Sequence, residues 1–163
     1  MADLKSLLAI MARLRDPEGG CPWDLEQDFS SISPHTIEEA YEVDEAITSG
    51  DLERLRDELG DLLFQVVFQA RIAEELGAFD FEGVIEAIVS KLIRRHPHIF
   101  ADAERPKSVA DQAQHWESIK DAERKAAVVL GGGAADPFAG IPRSLPALAR
   151  SAKLSGRLAR IES

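Results

Sequence analysis

His35-Thr-Ile-Glu-Glu-Ala-Tyr-Glu42 and Asp57-Glu-Leu-Gly-Asp61-Leu-Leu-Phe-Gln-Val-Val-Phe68 decide how this chain is read. Residues three or four apart on a helix share a face, so Glu39 with Glu42, and Glu58 with Asp61, each form a pair of carboxylates aimed the same way. Two such helices packed antiparallel bring the pairs together. A carboxylate cluster without cysteine or histidine suits a hard cation, and magnesium binds through a few carboxylates plus the phosphates of a substrate.

Acids on a helix are more often a solvated face, so the company they keep matters. At 100° per residue, Leu55, Leu59, Leu62, Leu63, Val66 and Ala70 form one apolar stripe, while Phe64 and Phe68 lie nearly opposite. Glu58 and Asp61 fall in a polar strip between the two, which runs on through Gln65 toward Ile72. A helix apolar on two faces is sandwiched. Carboxylates in such a sandwich are costly to desolvate unless something positive pairs with them, and a cation is the simplest partner.

The 163 residues suffice for one domain with a sizeable core and a tail. A single cysteine, Cys21, cannot form an internal disulfide and fits a reducing compartment. Asp3, Lys5, Arg13 and Arg15 surround only a short apolar run, so neither a signal peptide nor a membrane span is expected, and the expected location is the cytoplasm. A net charge of -10 argues against a general nucleic-acid surface, which needs clustered Lys and Arg.

The pattern is helical almost throughout, without a convincing strand period. A first amphipathic helix is expected over 3–15, ended by Asp16-Pro17-Glu18-Gly19-Gly20, with a loop through Cys21-Pro22-Trp23-Asp24. Ser33 as N-cap and Pro34 at the first position predict a helix to about residue 48. Asp51 caps a long helix over 52–76 closed by Gly77, and Asp80 caps one from Phe81 to about Arg95, broken at His96-Pro97-His98. Ser108 with Asp111 starts a helix to about Lys125. The expected organisation is a domain over 1–127, a flexible Gly-rich linker over 128–140 and a basic helical segment over 141–163.

Lys91, Arg94 and Arg95 form a second constellation at the end of the fourth helix. Cations there can simply complement the helix dipole; beside a carboxylate cage, phosphate binding is the other reading. Trp116 and Lys120, at i,i+4, offer a flat stacking surface and a further phosphate contact, with a core tryptophan as the alternative. His96 and His98 flank a proline and are read as fixing a turn.

Together these motifs resemble the MazG family of nucleoside triphosphate pyrophosphohydrolases. The resemblance rests on Glu38-Glu39-x-x-Glu42 and Glu58-x-x-Asp61, on Leu14-Arg-Asp-Pro-Glu-Gly-Gly-Cys-Pro-Trp-Asp24, on Lys91-Leu-Ile-Arg-Arg-His-Pro-His-Ile-Phe100 and on Trp116-Glu-Ser-Ile-Lys120, with a weaker echo in Ile141-Pro-Arg-Ser-Leu-Pro-Ala-Leu148. It implies an all-α fold whose helices pair across a homodimer into a four-helix core. It implies hydrolysis of nucleoside triphosphates to monophosphate and pyrophosphate with magnesium, manganese being able to substitute. By residue matching, Glu39, Glu42, Glu58 and Asp61 are metal ligands and Glu38 supports the site or orients water. Lys91 and Arg95 grip phosphates, with Trp116 and Lys120 near the nucleotide. Many bacterial members carry two tandem domains of this type; this chain has one copy of the motif and resembles the N-terminal one.

No P-loop and no activated covalent nucleophile are visible, so direct attack of water on the α-phosphorus is the economical mechanism. A di-iron or di-manganese bundle would add Glu-x-x-His, and none of His35, His96, His98 or His115 has glutamate three residues before it. A catalytically silent dimerisation or nucleotide-sensing domain with the same fold stays open. Neither nucleic acid nor a membrane is expected as a partner.

Overall fold

In the computed structural model, which describes residues 3–131, 136 and 138–161, all regular structure is helical. The order is α1 (Leu4–Leu14), α2 (Pro22–Glu26), α3 (Phe29–Ser49), α4 (Leu52–Glu75), α5 (Phe81–Arg95), α6 (Pro97–Phe100), α7 (Val109–Gly131) and α8 (Ala147–Ile161). The chain forms two compact units, Met1–Leu92 and Ile93–Ser163, divided in the last turn of α5. Among the described residues no helix is long and apolar enough to cross a membrane.

The first unit is organised by the α3–α4 hairpin. Gly50 ends α3 with φ of 74°, a left-handed conformation that costs glycine nothing and other residues strain. Asp51 then caps α4, its carboxylate accepting from the amides of Glu53 and Arg54 at 3.1 and 3.0 Å. The two-residue connection folds α3 back along α4, and α1 packs on α4 as well. Gln69 donates to Thr36 at 2.8 Å, tying the two long helices in register.

α3 begins at Phe29, earlier than the Ser33-Pro34 pattern suggests. Asp28 accepts from the amides of Ser30 and Ser31, and the Ser31 hydroxyl accepts from the Asp28 amide at 3.0 Å, a reciprocal cap that outcompetes the later start. Pro34 therefore sits inside the helix. The expected loop at Pro22 is a short helix instead. α7 continues to Gly131, so residues 128–131 of the expected linker are helical; residues 132–135 and 137 of it lie outside the described residues.

The core is built from Met11, Ile32, Val67, Phe68, Ala70, Ile72 and Phe81. On α4 this covers the Phe64–Phe68 side. Leu59, Leu63 and Val66, at i, i+4 and i+7 on the other expected stripe, remain 49%, 42% and 37% exposed. Periodicity gives both apolar faces; the described residues cover the Phe64–Phe68 face and Ala70 at the end of the other, leaving Leu59, Leu63 and Val66 open.

Arg15 anchors this core where the sequence offered no signal. Its guanidinium is buried, lies 5.3 Å from the Phe68 ring centroid and makes a 2.7 Å ion pair with Glu75 at the far end of α4. It also donates to the carbonyls of Asp24 and Gln27. Hydrogen bonding from Arg15 is the main reason the Glu75 carboxyl is held below its usual range. One side chain thus fastens the Cys-Pro-Trp-Asp segment to α4. Gly20 closes the preceding turn: a Cβ there would come within 2.3 Å of the Leu14 carbonyl oxygen.

Candidate functional site

The hairpin does what the helical spacing implies. Glu39 from α3 and Glu58 and Asp61 from α4 each present an oxygen within 4.8 Å of the others. Glu39 and Glu58 are half-buried and Asp61 is exposed. Glu42 lies close enough to raise the Glu39 carboxyl but stands outside the tight trio. The Glu39 carboxyl is pushed above its ordinary value, first by burial and then by the charges of Asp61 and Glu42, the Glu42 hydrogen bond and the charge of Glu58. Like charges held this close oppose folding unless a cation joins them.

The donor set fits a hard divalent ion: three or four carboxylates, no sulfur or nitrogen, and contributions from two helices. Gln65 adds an independent indication. It is only 6% exposed, one helical turn beyond Asp61, and its Oε1 has no hydrogen-bond partner. A buried acceptor beside a carboxylate cluster suits the ordered water of a hydrated ion. Glu38 is not part of the trio: its side chain is 67% exposed and one oxygen lies 3.5 Å from His35 Nδ1.

Arg54 modifies the cluster. Its Nε donates to Glu58 at 3.0 Å and an Nη to Glu45 at 2.6 Å. One Glu58 oxygen is thus already occupied. The Arg54–Glu58 pair at i,i+4 follows directly from helical spacing.

Of the expected cations, Lys91 is exposed in the first unit, at the edge of a groove shared with Phe79, Val84 and Ile88. In the second unit Arg95 ion-pairs with Glu123 at 2.7 Å, and Arg94 reaches the same carboxylate at 2.8 Å. Hydrogen bonding from Arg95, aided by Arg94, holds the Glu123 carboxyl down at about 2. Trp116 donates its indole N–H to the Arg95 carbonyl at 3.2 Å and meets His96 edge-on with ring centroids 5.3 Å apart. Its ring is part-exposed, so it is not a core tryptophan. Lys120 pairs with Glu117 at 2.7 Å. The sequence placed these residues correctly on their helices and missed the acids that hold them.

Residues 27–100 match the MazG nucleotide pyrophosphohydrolase domain. The chain belongs to the MazG family. Over 161 residues it is 52% identical to an Escherichia coli (strain K12) protein named nucleoside triphosphate pyrophosphohydrolase, an alignment covering 99% of this chain and 59% of that relative. It is 48% identical over 120 residues to a Thermotoga maritima protein named nucleoside triphosphate pyrophosphohydrolase/pyrophosphatase MazG, covering 74% of this chain and 45% of the relative. The chain therefore spans 59% or less of the length of these two relatives. A crystal structure of a mazG-related protein from Thermotoga maritima superposes with a TM-score of 0.59 at 28% identity, over 72% of this chain and 99% of that one. The MazG match contains the entire acidic cluster, Lys91 and Arg95, and ends before Trp116 and Lys120.

Proposed function

We propose that this chain hydrolyses nucleoside triphosphates to the monophosphate and pyrophosphate, with magnesium held by Glu39, Glu58 and Asp61 and joined by Glu42. The observation that carries this reading is the carboxylate trio across the hairpin, inside the segment that matches the MazG domain. The names of its relatives support the reaction class. When bound, a divalent cation supplies charge neutralisation at the phosphates and acidifies the attacking water.

The chain's own residues do the rest. Glu38, with no Lys or Arg in ion-pair distance among the described residues, accepts the water proton at a carboxylate oxygen while His35 steadies its orientation. The water oxygen forms its bond to the α-phosphorus as the bond to the pyrophosphate oxygen breaks. Lys91, Arg95 and Lys120 are proposed as phosphate contacts and Trp116 as a nucleotide contact on the resemblance to the family. Steady-state release of pyrophosphate from a panel of nucleoside triphosphates tests the proposal. Turnover with magnesium and none after thorough chelation is expected; turnover under chelation would remove the metal, and none under either condition would favour the silent domain.

A homodimer completes the reading. The Leu59, Leu63 and Val66 stripe on α4, with Ile37 and Tyr41 at i,i+4 on α3, leaves apolar surface open on the hairpin that bears the acids. A second hairpin laid on it makes a four-helix core. Sedimentation should show a dimer at micromolar concentration, and Leu63→Glu should shift it to monomer; a wild-type monomer would contradict this assembly.

A further inference from the structure

The chain-wide charge of -10 conceals a division between the two units. Residues 1–92 hold seven Lys and Arg against twenty-one Asp and Glu, whereas residues 93–163 hold twelve against eight. The basic surplus is gathered in part at one place. Within the second unit, the end of α5, α7, the loop over 139–142 and α8 enclose an open cleft of about 590 Å³, a volume in the usual range for small-ligand sites.

Five cations line it, Arg95, Lys120, Arg124, Lys153 and Arg157, against two carboxylates, Glu117 and Glu123. Glu123 is fully ionised at working pH because Arg95 and Arg94 hold its carboxyl at about 2, and Glu117 is taken by Lys120. Arg124 pairs with Asp121, which stands just outside the lining. Even counting Asp121, the cleft keeps an excess of positive charge. Lys153 is exposed and has no acid within ion-pair distance among the described residues. Arg157 donates an Nη1 hydrogen to the Ala139 carbonyl at 2.5 Å, which fixes its guanidinium at the rim. On the α8 wall, Gly156 leaves room: a Cβ there would meet nothing within 4 Å.

We propose that this cleft binds the phosphate chain of a small polyphosphate, and that α8 contributes to it through Lys153 and Arg157. Guanidinium groups match the planar, multi-oxygen geometry of phosphate, and an ammonium adds a mobile point charge. A cleft of about 590 Å³ suits a diphosphate or triphosphate rather than an extended polymer. The segment after residue 141 is then part of a ligand site and not a passive tail. The choice of polyphosphate rests on the nucleotide-hydrolase reading above, while the cleft and its charge do not.

Calorimetric titration of the full chain with inorganic pyrophosphate and with tripolyphosphate, in chelator and at low salt, tests this. Wild type should bind, Lys153→Glu should lose about tenfold or more in affinity, since it removes a charge-assisted contact and sets a like charge beside the phosphates, and Lys153→Arg should retain binding. Lys107→Glu, the same charge change on a residue outside the cleft lining, should leave affinity within about twofold. Circular dichroism checks that each variant is folded. No binding by wild type, or equal losses in the Lys153 and Lys107 variants, would overturn the proposal. Magnesium-dependent pyrophosphate release without chelator-resistant polyphosphate binding would sink the cleft and leave the hydrolase reading intact. Lys153-dependent binding in a chain that hydrolyses no triphosphate would do the reverse.

Discussion

Glu39 and Glu123 are both partly buried glutamates on long helices, and their surroundings drive them in opposite directions. Glu39 is partly buried and crowded by Asp61, Glu42 and Glu58, so its carboxyl is pushed up. Glu123 lies between Arg95 and Arg94, so its carboxyl is pulled down to about 2. Folding had the means to pair acids in this protein and used them at Glu123 and at Glu75. At the hairpin it left three carboxylate oxygens within 4.8 Å of one another, whose one ion-paired cation among the described residues is Arg54, bonded to Glu58. Local conflict with the rules of stability, retained inside an otherwise consistent unit, is where function is expected to sit.

The sharpest way to break the comparison is to remove a charge from the acidic side. Asp61→Asn keeps the shape and takes away one ionic oxygen. Losing a residue that merely orients a metal ligand costs about 10–100-fold, so a ligand itself should cost at least a hundredfold in pyrophosphate release. The same change should leave the metal-free chain as stable as before or more so, because it relieves the crowding at Glu39. Unimpaired turnover would empty the cluster of its role; a large loss of helix would make it structural.

Stability against pH distinguishes the two glutamates by sign. Glu123 has a depressed folded pKa, so its contribution is complete above the ordinary value of 4.5 and disappears as pH falls toward about 2. Glu123→Gln should therefore cost about 2 kcal/mol in chemical denaturation at pH 7, with the penalty shrinking below pH 4.5. Glu39 has a raised folded pKa, so the folded state favours its protonated form and loses stability as pH rises through that raised value. Glu39→Gln should stabilise the metal-free chain at neutral pH by a smaller amount, and the gain should vanish below about 4.5. Equal signs for the two variants would erase the contrast.

Much of the acidic side was legible because its geometry is local. The pairs Glu39–Glu42 and Glu58–Asp61 follow from helical spacing, and Gly50-Asp51 announces the turn that brings them together. The basic side was legible only as a list of cations. Arg95 and Glu123 are 28 residues apart, and Arg15 and Glu75 are 60 apart, so no period in the sequence joins them. The α3 start was misplaced because Ser33-Pro34 and Asp28 with Ser31 both make sound helix beginnings, and only hydrogen bonding decides between them. On α4 the two apolar faces were readable, but which of them this chain covers depends on where α1 packs.

The finest probe of the acidic side is Gln65, whose buried Oε1 lacks a partner. If it serves packing alone, Gln65→Leu replaces an unsatisfied amide by an apolar side chain of similar size, which is neutral or mildly stabilising, within about 1 kcal/mol. If Oε1 accepts a hydrogen bond from water around an ion at Asp61, the same change should weaken magnesium by several-fold while stability holds, as for other groups one step removed from a metal. Magnesium titration followed by the metal's thermal stabilisation of the chain reads both quantities at once, because an ion that binds only the folded state raises the melting temperature with concentration. A shifted magnesium dependence with an unchanged metal-free melting temperature would extend the cluster by one turn of α4. Parallel curves for wild type and Gln65→Leu would confine it to the carboxylates.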